Sequence, residues 1–83
     1  MPIRKNHGPK KDDLERPYIE IGERLKKWRM DNKLRQADIG GKFTNMAIMW
    51  YESGRRLPTT EFLLHLKEKF GVSADWILTG EEG

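Results

Sequence analysis

The stretch QADIGGKFTNMAIMWYESGRR, which covers residues 36–56, is the part of this chain that most constrains its fold. A Gly-Gly pair interrupts it, and each glycine inside a helix costs up to about 1 kcal/mol relative to alanine. Thr44 follows the pair, and its side-chain oxygen can cap the start of a helix. The stretch therefore predicts two short helices, over residues 36–42 and 45–51, joined by a tight turn.

The second of these helices contains an unbroken apolar run, MAIMWY. A helix this short cannot bury all of its sides. We expect Ile48 and Tyr51 to pack in the core. At least some of Met46, Met49 and Trp50 must then lie on the surface, where they would contact a partner.

The glycine pair has two possible roles in this arrangement. Gly40 can let the next helix cross close to the backbone, because it has no side chain. Gly41 can instead end the first short helix in a left-handed conformation.

An amphipathic helix is predicted before this stretch, over residues 18–32. Ile21, Leu25 and Trp28 recur at i, i+4 and i+7, so they form one apolar stripe. The helix is expected to end at Asn32, because asparagine tolerates the left-handed backbone conformation.

A fourth helix is predicted after this stretch. Leu63, Leu66 and Phe70 recur on one helical face, and Thr59 or Thr60 provides the capping residue at its start.

Ser73 then caps a last short helix over residues 74–79, and Gly80 ends it. The sequence predicts no strand. The expected fold is all-α: a compact five-helix domain over residues 18–83, preceded by a flexible basic arm and linker over residues 1–17.

Length and composition exclude several classes of protein. A chain of 83 residues forms one small domain, and the absence of cysteine excludes disulfides and thiolate metal sites. No apolar run approaches the roughly 18 residues that a membrane span needs.

His7 lies in the arm and His65 is expected on the outer side of a helix, with no third ligand nearby. We therefore expect a cytoplasmic protein that is not an enzyme and has no catalytic residue, metal or cofactor.

The distribution of positive charge is more informative than the net charge of +3. The first eleven residues carry four cations and no anion: Arg4, Lys5, Lys10 and Lys11. Arg55 and Arg56 follow the second short helix. Such clusters favour polyanion binding, although a tail without a role and a solvated loop are the alternatives.

Two short helices, a tight turn and a cationic loop stand in the order found in a helix-turn-helix. Three segments resemble the DNA-binding domain of lambdoid phage repressors and Cro, in the xenobiotic-response-element-type superfamily: IGERLKKWRMDNKLRQADI, YESGRRLP and LLHLKEKFGVSADWILTGE. The resemblance covers about residues 19–82. It implies a five-helix, sequence-specific transcriptional regulator, usually a repressor, that binds double-stranded operator DNA as a two-fold dimer.

The resemblance also implies roles for individual residues. Gln36 matches a glutamine that contacts a DNA phosphate and braces the second short helix. Arg29 and Glu52 match a buried or half-buried ion pair. Arg55 and Arg56 match a loop that grips phosphates.

Trp76 and Leu78 lie where repressors of this kind often self-associate, which implies a homodimer through the last helix. The alternative is that Trp76 closes the core and the chain does not self-associate.

The sequence departs from the family pattern within the motif. The interval from Gln36 to Glu52 is two residues shorter than usual, so we place the deletion in the turn. Arg35 stands where a capping Ser, Thr or Asn is common, and Lys33 replaces a usual glycine. These changes affect the angle and the face that the second short helix presents.

Base contacts are expected from the first turns of that helix: Thr44, Asn45, Met46 and Met49. Asn45 suits adenine and the methionines suit thymine methyl groups, so the expected preference is for A·T pairs. The alternative for Asn45 is a local capping role. Phosphate contacts are expected from five residues: Arg35, Gln36, Lys42, Arg55 and Arg56.

A second class of function uses the same apolar helix. The chain would then be a protein-binding helix-turn-helix module, like an antirepressor or an antitoxin component. Binding to random duplex DNA that weakens with salt distinguishes the two classes.

Overall fold

The computed structural model describes residues 16–81, which form five α-helices and no strand. The helices are α1 (Ile19–Asp31), α2 (Gln36–Gly40), α3 (Asn45–Ser53), α4 (Thr60–Phe70) and α5 (Ala74–Thr79). The predicted all-α, five-helix class is confirmed for this part of the chain. Most of the predicted basic arm, residues 1–15, lies outside the described residues.

Two of the short helices end at different residues from those predicted. α2 ends at Gly40 rather than at residue 42, because Gly41 adopts a φ of 57° and turns the chain. α3 continues to Ser53, past its predicted end, until Gly54 adopts a left-handed conformation. The hydroxyls of Thr59 and Ser73 accept hydrogen bonds from backbone N–H groups and cap α4 and α5. The cap at Ser73 is as predicted, and of the two candidates for α4 the cap is Thr59.

The chain leaves α1 through Lys33, whose φ of 59° lies in the left-handed region. Asn32 has a φ of −95°, so the prediction that asparagine adopts this conformation is wrong. Asn32 instead uses its side-chain amide, which donates to the carbonyl oxygen of Trp28 at 2.8 Å. A lysine in the left-handed region costs about 1 kcal/mol.

Side chains from all five helices build the core. Six of them are fully buried: Leu25, Ile39, Ile48, Phe62, Leu66 and Ile77. Ile48 and Tyr51 are both buried, as predicted. Phe62 lies outside the predicted stripe of α4, yet its ring centroid is 4.9 Å from that of Tyr51. This aromatic contact joins α4 to the buried side of α3.

Candidate nucleic-acid interface

α3 has one side in the core and the other in solvent. Ile48, Tyr51 and Glu52 are buried, whereas Met46 and Met49 are 55% and 47% exposed. The two methionines are three residues apart, so they lie on the same side of the helix. We call this side, with Asn45 at its beginning, the exposed face of α3.

The first turn of α3 is capped in a way that leaves Asn45 available. The Oγ1 atom of Thr44 accepts a hydrogen bond from the backbone N–H of Ala47 at 3.0 Å. Asn45 is exposed, and its side chain makes no hydrogen bond to another residue of the described range 16–81. Thr44 therefore performs the local capping role that was the alternative for Asn45.

An ion pair between Arg29 and Glu52 fixes α3 to α1. The Nε atom of Arg29 donates to Oε2 of Glu52 at 2.6 Å, and Nη2 donates to Oε1 at 3.0 Å. The two side chains are only 13% and 4% exposed, so the pair is shielded from water. The hydrogen bonds to Glu52 raise the pKa of Arg29, against the opposing effect of burial.

The same carboxylate also holds the start of α2. The Nε2 atom of Gln36 donates to Oε1 of Glu52 at 3.1 Å, and Nη1 of Arg29 donates to the carbonyl oxygen of Leu34 at 2.8 Å. This network connects α1, α2 and α3 and sets the angle at which α3 meets solvent. The Gln36 amide has a second N–H, which can donate to another acceptor.

His65 supports the turn between α2 and α3. Its Nε2 atom lies 2.9 Å from the carbonyl oxygen of Ile39, so this nitrogen carries a proton and donates it. A Cβ atom on Gly41 would lie 2.7 Å from the imidazole Cε1 atom. His65 is therefore half-buried against the turn, and its predicted position on the outer side of the helix is wrong.

Two of the predicted phosphate contacts are held in ion pairs within the domain. Nη2 of Arg35 lies 3.1 Å from Oδ1 of Asp38, and Nζ of Lys42 pairs with Glu61. Hydrogen bonds from Arg35 hold the pKa of Asp38 below its usual value. Both cations remain exposed, but each has a carboxylate neighbour, so their attraction for phosphate is reduced.

The loop after α3 carries two exposed arginines. The backbone N–H groups of Arg55 and Arg56 both donate to the carbonyl oxygen of Trp50, at 3.0 and 3.3 Å. The Arg56 guanidinium lies over the Trp50 ring, 4.3 Å from its centroid. Neither arginine forms an ion pair with another residue in the range 16–81. Trp50 is four residues after Met46, so Arg56 borders the exposed face of α3.

Arg16 and Lys26 border the exposed face on its other side. The Nε atom of Arg16 donates to the carbonyl oxygen of Ser53, the last residue of α3, at 2.8 Å. Both cations line a shallow groove beside Met49. Lys26 is exposed on α1, and the sequence alone did not identify it as a site residue. Its position near α3 follows from the crossing of the helices, which no local pattern encodes.

Trp76 and Leu78 open onto different sides of α5. Trp76 lines a shallow groove with Trp28 and Phe70, whereas Leu78 lines another with Arg24. Residues two apart on a helix point about 200° away from each other. A flat dimer surface on α5 is therefore expected to include either Trp76 or Leu78, but not both.

Within residues 16–81, no cluster of three or more His, Asp and Glu side chains is placed to hold a metal ion. No helix in the same range has the length and apolar content required to cross a membrane. Comparisons with protein-family models, curated proteins and solved structures find no match for this chain.

Proposed function

We propose that this domain is a sequence-specific DNA-binding transcriptional regulator, acting as a repressor, that inserts α3 into the major groove of duplex DNA. The observation that carries the proposal is the exposed face of α3. Asn45, Met46 and Met49 lie on it, while Glu52, at its buried edge beside Met49, anchors the helix to α1. An α-helix presented in this way fits the width of the major groove.

Positive charge around that face supports the proposal. Arg55 and Arg56 follow the carboxyl end of α3, and Lys26 and Arg16 lie beside Met49. Contacts from such cations to phosphates position a helix without reading sequence. The second N–H of the Gln36 amide makes no hydrogen bond within residues 16–81, and it can donate to a phosphate at the start of α2.

Stacking on Trp50 makes Arg56 the strongest candidate among these cations. The ring restricts the guanidinium before any ligand arrives, so less side-chain entropy is lost on binding.

Self-association through α5 and a cytoplasmic location remain part of the proposal. A two-fold dimer would require two half-sites on one DNA face, separated by about one helical turn or a multiple of it. Sedimentation with a duplex that carries one half-site or two separates a monomer from a dimer.

The proposal is tested by selecting binding sites from a random duplex library and then measuring affinity for the selected site. Replacing Asn45 with alanine should weaken binding to that site about tenfold or more, because a bidentate base contact is lost. Binding to random duplex should change little. Asn32→Ala is the matched control, since Asn32 is an exposed asparagine whose side chain, among residues 16–81, bonds only to the carbonyl oxygen of Trp28.

A lack of duplex binding at low salt would overturn the proposal. The protein-binding module would then be favoured, because Leu57, 45% exposed in the loop after α3, is a further exposed apolar side chain besides the two methionines.

A further inference from the structure

α3 presents an unusual chemistry for a helix that reads DNA. Its one charged residue, Glu52, is buried in the pair with Arg29. Asn45 supplies the one amide group, and the hydroxyl of Ser53 lies 3.2 Å from the carbonyl oxygen of Trp50. The centre of the exposed face therefore consists of two thioether side chains.

These thioethers are the largest exposed groups on the helix. Met46 and Met49 keep about half of their surface in contact with solvent. The start of their helix is capped by Thr44. Methionine is unbranched and polarisable, so it adapts its shape to an apolar partner. Covering this surface would release further hydrophobic free energy.

The major groove offers one apolar group for such side chains. Guanine presents two acceptors that suit Arg or Lys, and cytosine and adenine present amino groups, whereas thymine presents its C5-methyl group. The exposed face of α3 carries no Arg or Lys side chain to pair with guanine. Its chemistry matches a pyrimidine methyl group.

We infer that Met46 and Met49 read C5-methyl groups in the major groove, so that the target is defined by the positions of methylated pyrimidines. This inference rests on the proposed function and names the base chemistry that the site recognises. Thymine and 5-methylcytosine both present the same group. A site in which 5-methylcytosine replaces thymine at a contacted position should therefore recover the methyl contact.

The test uses the full chain and the site returned by selection. Each thymine is replaced in turn by deoxyuridine, which removes only the methyl group. At one or two positions, affinity should fall about fourfold for each methyl group lost, from the transfer free energy of one CH₂ group. If Met46 contacts that methyl group, the same replacement should not change the affinity of the Met46→Ala variant. If Met49 contacts it, the replacement should not change the affinity of the Met49→Ala variant.

Met30→Ala provides the matched control, because Met30 is an exposed methionine in the last turns of α1. This variant should keep the full response to deoxyuridine. Alanine is a strong helix former, and Met46 and Met49 lie outside the core, so both test variants should keep the wild-type unfolding midpoint.

Specific binding that is indifferent to deoxyuridine would overturn this inference and leave the proposed function intact. A response to deoxyuridine that persists in both methionine variants would also overturn it, since the methyl groups would then act through DNA shape. Absence of duplex binding would overturn the inference and the proposed function together.

Discussion

The backbone of Gly22 in α1 lies directly against the carbonyl group of Glu52 in α3. A Cβ atom built on Gly22 would lie 2.5 Å from the Glu52 carbonyl oxygen and 2.5 Å from that of Tyr51. α1 and α3 are thus in backbone contact where the Arg29–Glu52 ion pair also joins them. The backbone contact and the ion pair together set the direction in which the exposed face of α3 points into solvent.

Gly22→Ala should therefore destabilise the domain by about 2 kcal/mol, because the atoms that a new methyl group would meet are backbone and cannot move aside. Gly40→Ala is the matched control. There, among the residues that the structure describes, the new Cβ meets only the Cδ1 atom of Ile48, at 2.7 Å, at the flexible end of a side chain. Its net effect should stay within about 1 kcal/mol, since alanine also favours the helix. Urea unfolding curves with equal losses in both variants would contradict this account.

Removing the charge of Glu52 should be far more damaging than removing a surface charge. Glu52→Gln leaves the Arg29 guanidinium shielded from water without its ion-pair partner, and we expect a loss of about 3 kcal/mol. Asp31→Asn is the control, because the Lys27–Asp31 pair is 71% and 60% exposed. It should change the free energy of unfolding by less than about 1 kcal/mol. Comparable effects of the two substitutions would show that the buried pair does not fix α3.

Replacing Arg56 with alanine should weaken binding to all duplex sequences and reduce the slope of log affinity against log salt by about one unit. Lys69→Ala is the control, since Lys69 is exposed in the last turn of α4, about 14 Å along the helix from its first residue, Thr60. The salt slope should not change in this control. An unchanged slope for Arg56→Ala, measured from low to moderate salt, would remove Arg56 from the phosphate-binding surface.

Lowering the pH should remove the contribution that the ionised Asp38 carboxylate makes to the free energy of unfolding. Hydrogen bonds from Arg35 hold the pKa of the folded carboxyl below its usual value, so the ionised form favours folding. This contribution is present above the unfolded pKa, about 4, and is lost as the pH falls through the folded pKa. Asp38→Asn should therefore be less stable than the wild type near neutral pH, and the difference should narrow on acidification. Urea midpoints measured from about pH 6 to about pH 3 check this, and a constant difference would contradict it.

Local signals in the sequence were enough to predict five helices and several of their ends. Capping acts within one turn, so Thr44, Thr59 and Ser73 identified helix starts without any knowledge of the tertiary structure. Counting apolar residues on a short helix also predicted that Ile48 and Tyr51 are buried.

Contacts between distant residues could not be predicted in the same way. Lys42 pairs with Glu61, and His65 bonds to the carbonyl oxygen of Ile39, 26 positions away. Lys26 comes close to Met49 only because α1 crosses α3. Each of these depends on the angle between helices, which hydrophobic periodicity does not specify.

The proposed function requires that duplex DNA binds to the exposed face of α3. The most direct measurement is an NMR titration of the ¹⁵N-labelled chain with random duplex DNA at low salt, repeated at moderate salt. We predict that the largest shifts occur at the backbone amides of Asn45, Met46 and Met49 and at Arg55 and Arg56, and that salt reverses them. Shifts confined to the groove of Trp28, Phe70 and Trp76, or no shifts at either salt concentration, would contradict the claim.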